Sequence, residues 1–282
     1  MARTRTFNRQ QEDIGNILSM EHVNLRVPDQ TTAAWFYVSG LGLTRDPFVD
    51  FGSFNIWINV GAQQFHLPTG KPQVLRGEVH ITVPNLDELE HRLNRVSGRL
   101  KDTQFSFKRT AKEVVAQCPW GNTIRCRGES PENTTGMHAV SFRVEAEVLP
   151  GINRFYQQIF KCPTKLLQSK LEVVVGPGQK LMFVASKKVP EYDGHHLAIY
   201  CPDFSGPYEQ IKARKFISEE SDQHQYRFET IFDPDNGEPL FQIEHEVRSI
   251  YHPMFNRHLV NRNPAQTFAT YAPGRDQYYP QT

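Results

Sequence analysis

Four strand-like segments recur along the chain at a constant interval. They are EHVNLRVPD from Glu21, GEVHITVPN from Gly77, MHAVSFRVEA from Met137 and HHLAIYCPDF from His195, and they place His22, His80, His138 and His196 at steps of 58 residues. Each mixes β-branched and apolar residues as a strand does. Three end in Val-Pro or Cys-Pro followed by Asp29, Asn85 or Asp203. Pro fixes φ there, and Asp or Asn is suited to cap the helix that follows. A repeat of this size limits the fold sharply, because one unit cannot bury both faces of its own sheet and must share it with another.

The rest of each unit is alike. TTAAWFYVSGLGL, LDELEHRLNRV, LPGINRFYQQIF and SGPYEQIKARKF carry apolar residues at helical spacing, such as Leu86, Leu89, Leu93 and Val96 in the second. Strand-like pieces then close each unit, so that each reads β-α-β-β-β, over residues 17–69, 76–128, 135–186 and 193–247. The polar link RGESPENTTG marks a boundary between halves. The expected architecture is therefore α+β, with modules one and two forming a domain over 17–128 and modules three and four a second over 135–247. A tail, 248–282, follows; its many aromatics predict that it packs across the C-terminal pair as a lid or a dimer contact.

Composition narrows the function classes. The chain has 282 residues and a formal net charge of +1, with no signature of disorder and no overall electrostatic footprint for nucleic acid. No apolar run is long enough for a membrane-spanning helix. Cys118, Cys126, Cys162 and Cys201 form no CxxC, which reads as reduced thiols in a cytoplasmic protein. Arg3, Arg5 and Arg9 head a segment that reads as a frayed polar tail rather than a transit peptide. Paired, curved sheets enclose a concave interior, a natural place for a small-molecule ligand or a metal.

The fourfold β-α-β-β-β order resembles the vicinal oxygen chelate superfamily, which includes glyoxalase I, extradiol dioxygenases and resistance proteins. The first-strand histidines, the FYVSGLGL and FYQQIF helix ends, and the CPWGN and DPDNG hairpins before last strands carry the resemblance, which extends to Val247. It implies a divalent metal in a paired-module cavity, Fe(II) first, with Mn(II), Zn(II) or Ni(II) as the other choices. Four modules in one chain look most like the two-domain extradiol dioxygenases, whose active metal sits in the C-terminal pair. Carried onto this sequence, the metal ligands are His138, His196 and Glu244, with His245 and Glu246 as alternatives to Glu244. Two imidazoles and a carboxylate leave adjacent coordination positions open for substrate and dioxygen. One feature of spacing bears on this set: His22 and His196 each stand five residues before the strand-end Val27 or Cys201, whereas His138 stands six before Val144, so a bulge is needed to turn it the same way.

A second candidate site lies in the N-terminal pair: His22 on the first strand, His66 on the last strand of module one, and Glu78 at the His22-equivalent position of module two. Arg125 takes the last-strand ligand position there, where a cation repels a metal, and the resemblance implies a metal-free copy. For the acid or base that most of these reactions need, the candidates are His195 and Tyr226. Three functions follow: a ring-cleaving, dioxygenase-like oxidoreductase on a small oxygenated or aromatic molecule; a glyoxalase- or epimerase-like isomerase or lyase; and a non-catalytic binding protein. Self-association stays open.

Overall fold

A computed structural model describes residues 8–47, 54–130, 133–221 and 224–259. The heads of the N-terminal segment and most of the tail, 260–282, lie outside the described residues. Each module has four strands: β1 Ser19–Asn24, β2 Thr44–Arg45, β3 Asn55–Val60 and β4 Gln63–Pro68 in the first; β5 Gly77–Val83, β6 Ser106–Arg109, β7 Glu113–Gln117 and β8 Thr123–Gly128 in the second. The third has β9 Gly136–Val144, β10 Thr164–Leu167, β11 Lys170–Val174 and β12 Lys180–Ala185. The fourth has β13 His196–Cys201, β14 Ile217–Ser221, β15 Gln225–Phe232 and β16 Pro239–Ser249. One helix follows each first strand: α1 Gln30–Ala34, continued by a wider π-helical turn Trp35–Gly40, then α2 Leu86–Leu100, α3 Leu149–Gln158 and α4 Ser205–Ala213. Two of the residues after the first strands are N-caps, and Asp203, one residue before the N-cap Phe204 of α4, bonds into its first turn. Asp29 accepts from Thr32 N, Asn85 from Asp87 N and Glu88 N, and Asp203 from Gly206 N.

The fold is α+β, with two mixed sheets of eight strands. Their membership corrects the expected pairing. One sheet runs β14-β15-β16-β13-β1-β4-β3-β2 and joins modules four and one; the other runs β10-β11-β12-β9-β5-β8-β7-β6 and joins modules three and two. The seam in each is antiparallel and made by first strands, β1 against β13 and β5 against β9. The physical reason is that every module offers the same kind of first-strand edge, so the repeat defines the units without choosing which edges meet. The β5–β9 seam is close enough to need glycine: a Cβ on Gly77 would sit 1.7 Å from the Ser141 carbonyl oxygen.

Alternation along the strands sorts the faces. On β16, Phe241, Ile243, His245 and Val247 are buried on the helix side, and Gln242, Glu244, Glu246 and Arg248 fall on the concave side. The helices present Leu89, Leu93, Val96 and Leu100 of α2 and Ile152, Phe155 and Tyr156 of α3 to a core that is continuous across both sheets. All four cysteines are buried and free. No helix among the described residues is long and apolar enough to cross a membrane.

Candidate metal centre

The concave face of the sheet shared by modules one and four is polar and buried. Asn24 pairs with His196 across the seam and with His66 on β4; His22 pairs with Ala198, which in turn pairs with Glu246 on β16. These registers gather side chains from four strands. The ligand nitrogens of His22, His66 and His196 all lie within 4.8 Å of one another, a cluster that could hold a metal ion.

Two of the three imidazoles are set up alike. His22 Nδ1 lies 2.6 Å from Glu21 Oε2, and His196 Nδ1 lies 3.2 Å from Glu244 Oε1. A bulge in β1 at Glu21 lets these neighbours meet on one side of the strand. In the tautomer that ligates a metal, Nδ1–H faces the carboxylate and Nε2 carries the lone pair. Both Nε2 atoms are buried without a hydrogen-bond partner. Beside His196 Nε2, at 3.5 Å, stands Glu246 Oε2. An acceptor buried with no donor nearby is costly unless something electrophilic meets it. Two orphaned nitrogens and a carboxylate in one cup therefore fit a divalent cation.

Charge around the cup is balanced locally. Glu246 is bound by Arg227 Nη2 at 2.6 Å and by Arg248 at 2.5 Å, and Arg248 Nη1 also reaches Glu21 at 2.7 Å. Burial opposes ionisation of Glu246, but Arg248, the His196 contact, His22 and Arg227 outweigh it and hold the carboxyl well below its ordinary range. Glu21 is likewise kept low against burial, chiefly by Arg248 and His22. Burial drives His196 down, and drives His66 further, with help from His22 and His196. Low pKa values keep those two imidazoles neutral, the form that ligates.

His66 is held differently. It stacks on Trp57 with ring centroids 3.9 Å apart, and its Nδ1 and Nε2 lie 2.6 and 2.9 Å from the side-chain amides of Asn24 and Asn55. A neutral imidazole has one donor and one acceptor, so one amide must present its oxygen. Asn55 Oδ1 is buried and lacks a partner, which makes Asn55 the amide to turn over.

The cup draws on both sequence candidates and completes neither. His22 and His66 come together as expected, but Glu78 lies in the other sheet. His196 and Glu244 also meet, with Glu244 on Nδ1 as an orienting group. His138 does not join them: it is the bulged residue of β9, in the other sheet, half-buried, with Nε2 2.8 Å from the Thr134 carbonyl. The needed bulge exists, but it lies in the wrong sheet for this set. Neither acid–base candidate reaches the cup. His195 faces the opposite side from His196, buried against Phe142 with Nδ1 on Asp193 at 2.7 Å. Tyr226 packs against Phe204 and Tyr208 on the helix side. His245 is a core histidine bonded to the Tyr156 hydroxyl at 2.8 Å. The residues missed as partners are Glu21, Arg227 and Arg248; the Glu-x-Glu-x-Arg alternation on β16 was the signal for Arg248, and no pattern pointed to Glu21 on β1 or Arg227 on β15.

The start of the tail closes the cup. Met254 packs on Trp57, Phe255 on Tyr200, and Arg257 Nη2 meets the buried Asp46 at 2.6 Å. The expected packing is thus on modules four and one rather than on a C-terminal pair, and from residue 260 onward the tail lies outside the described residues.

No family model and no curated protein sequence matches the chain. Solved structures do. A Bacillus subtilis protein designated a candidate dioxygenase superposes with a TM-score of 0.58 at 14% identity, covering 90% of each chain. Glyoxalase I from Zea mays superposes with a TM-score of 0.57 at 15% identity, covering 82% of this chain and 92% of that one. The chain has the fold of the vicinal oxygen chelate proteins.

Proposed function

We propose that this chain is a metal-dependent, dioxygenase-like enzyme acting on a small oxygenated or aromatic molecule, with His22, His196 and Glu246 as ligands. The observation that carries this reading is the pair of orphaned Nε2 atoms, each with its Nδ1 held by a carboxylate, beside Glu246. The two imidazoles and the carboxylate would hold a divalent ion such as Fe(II), which when bound would supply Lewis-acid and redox chemistry toward a substrate's oxygens. The protein's own groups do the rest. Glu21 and Glu244 orient the imidazoles, and Arg227 and Arg248 offset the acids around them. Trp57 and the tail exclude water. His66, neutral and within the cluster, carries the proton of the substrate hydroxyl once Asn24 or Asn55 releases one of its nitrogens.

One feature favours a second reading. If His66 gives up an asparagine and ligates, four protein ligands leave two positions, which suits a glyoxalase-like isomerase or lyase that needs no dioxygen. Elemental analysis, then oxygen uptake with a panel of catechols, tests both. The first reading expects one metal per chain, oxygen uptake, and a His66→Gln variant that keeps its metal but loses turnover. Metal lost in His66→Gln, with no oxygen uptake by the parent, replaces it with the second. Absence of bound metal overturns both in favour of a binding protein.

A further inference from the structure

Arg76, on the link into β5, is buried, with 6% of its surface exposed. Two other arginines are buried to a similar degree, and each carries a carboxylate: Arg248 has Glu21 and Glu246, and Arg257 has Asp46. Arg76 forms no ion pair among the described residues. Asp193, the acid whose charge bears on it, is committed to His195 Nδ1 at 2.7 Å and to Val74 N at 2.6 Å. The Arg76 guanidinium lies 4.1 Å over the Phe241 ring and 5.1 Å over Tyr192, and its Nη2 donates to the Gln242 carbonyl. Its Nε is buried with no acceptor. Burial pulls its pKa down to about 10, which still leaves it a cation at neutral pH.

An uncompensated buried charge is expensive, and such charges in clefts mark functional sites. This one lines a cavity of about 460 Å³ whose other walls include Val148, Val189, Leu240 and Phe241. Glu145, at the rim, is exposed and screened by water. The cavity is separate from the histidine cup and shares none of the proposed ligands. Apolar walls, one aromatic face and a single desolvated guanidinium specify a ligand with an apolar body and one anionic head.

We infer that the Arg76 cavity is a binding site for a small organic monocarboxylate. The carboxylate takes the guanidinium N–H groups that Gln242 leaves free, and the hydrocarbon body lies against Phe241, Leu240 and Val189. The site does not depend on the metal reading. Calorimetry and thermal melts of the full chain with sodium benzoate test it, with benzamide as the neutral isostere and inorganic phosphate as a hydrophilic anion. Expected are saturable binding and a rise in Tm with benzoate, and neither with the two controls. Arg76→Met should weaken benzoate at least tenfold. Val189→Trp, a half-buried loop position, should block the cavity while keeping the cation, so a misfolded Arg76 variant leaves the test intact. No saturable benzoate binding by the parent, equal binding of benzamide, or undiminished binding in folded Val189→Trp overturns the inference.

Discussion

The two sheets share a strand order, a seam and a concave face, and differ in what stands at four equivalent positions. Following the registers, His22, His66, His196 and Glu246 in one sheet correspond to Glu78, Arg125, Ala139 and Met182 in the other. The second set holds no imidazole. Arg125 instead reaches Glu78 at 2.5 Å and Glu113 at 2.6 Å, so a guanidinium stands at the His66 position itself, whereas next door Arg227 and Arg248 pair with Glu246 and leave that position to an imidazole. Closure differs too. Met254 and Arg257 lie over the first cup, while the second, lined by cations such as Lys112, Arg127 and Lys180, stays open with a cavity of about 570 Å³. One backbone thus supports either a ligand set with orphaned nitrogens or a self-satisfied ion pair. Side chains at strand parity, not topology, decide which.

The sharpest way to break this comparison is to remove histidines from each cup. His22→Ala and His196→Ala should each lower bound metal from about one per chain to less than a tenth of that by elemental analysis. His138→Ala, on the second sheet, should leave it unchanged. Glu21→Gln, which loosens the His22 ring and removes one of the two acids on Arg248, should weaken metal affinity by roughly 10- to 100-fold. Metal retained in His22→Ala but lost in His138→Ala would move the site to the other sheet.

Next in size is the closure. Arg257 and Asp46 are both buried, and Gln64 also donates to the Asp46 carboxylate, at 2.6 Å. Breaking a buried pair from one side strands the other charge, at a cost of about 3 to 5 kcal/mol. Arg257→Ala should therefore lower stability by that order in urea unfolding. An effect under about 1 kcal/mol would show that the tail contributes no more than a surface ion pair does.

Much of this was legible in the sequence, and the part that was not has a physical cause. The units, their strand order and the caps at Asp29 and Asn85 could be read because they depend on local pattern, while α4 begins one residue later than the Asp203 cap would have it. The count of five residues to Val27 or Cys201 placed His22 and His196 correctly on equivalent, inward positions. The pairing of modules could not be read: β1, β5, β9 and β13 are interchangeable edges, and only tertiary packing selects β1 with β13. That choice split each candidate set, keeping His196 without His138 and His66 without Glu78. Glu244 and Glu246 share a face, so parity could not separate them. The register does: Glu246 sits opposite Ala198 as His66 sits opposite Asn24, whereas Glu244 sits one step back on His196.

The second cup's ion pair gives a smaller effect. Arg125→Met leaves Glu78 and Glu113 facing each other, half-buried, with 24% and 19% of their side chains exposed. Discounted for water, the expected loss is about 2 kcal/mol, with bound metal unchanged. A variant that carries Glu78→His, Arg125→His, Ala139→His and Met182→Glu restores the ligand types of the first cup, and should raise bound metal from one to two per chain. A count that stays at one would mean that parity alone is insufficient and that the carboxylates behind the rings, Glu21 and Glu244, are also required.

The smallest expected effect separates the cups by acid response. His80 in the second cup occupies the position of Asn24 in the first, and burial pushes its pKa down to about 4, with Arg125 and Arg127 adding to the shift against Glu78 and Glu113. The unfolded chain, with an ordinary histidine near 6.5, binds more protons than the folded one between those values. Stability therefore rises with pH across the window from about 4 to 6.5 and is lost as pH falls through it. At pH 5.5 the loss from this one residue is about 1 kcal/mol. His80→Gln should remove it, so that the stability of the variant relative to the parent improves by about that much between pH 8 and pH 5.5. Since no metal competes for His80, a chelator should leave this difference as it is. In the first cup, protons and metal compete for the same nitrogens, so there the acid slope should change when metal is withdrawn. A His80 difference that vanishes in chelator would place a metal in the second cup and erase the distinction between the two sheets.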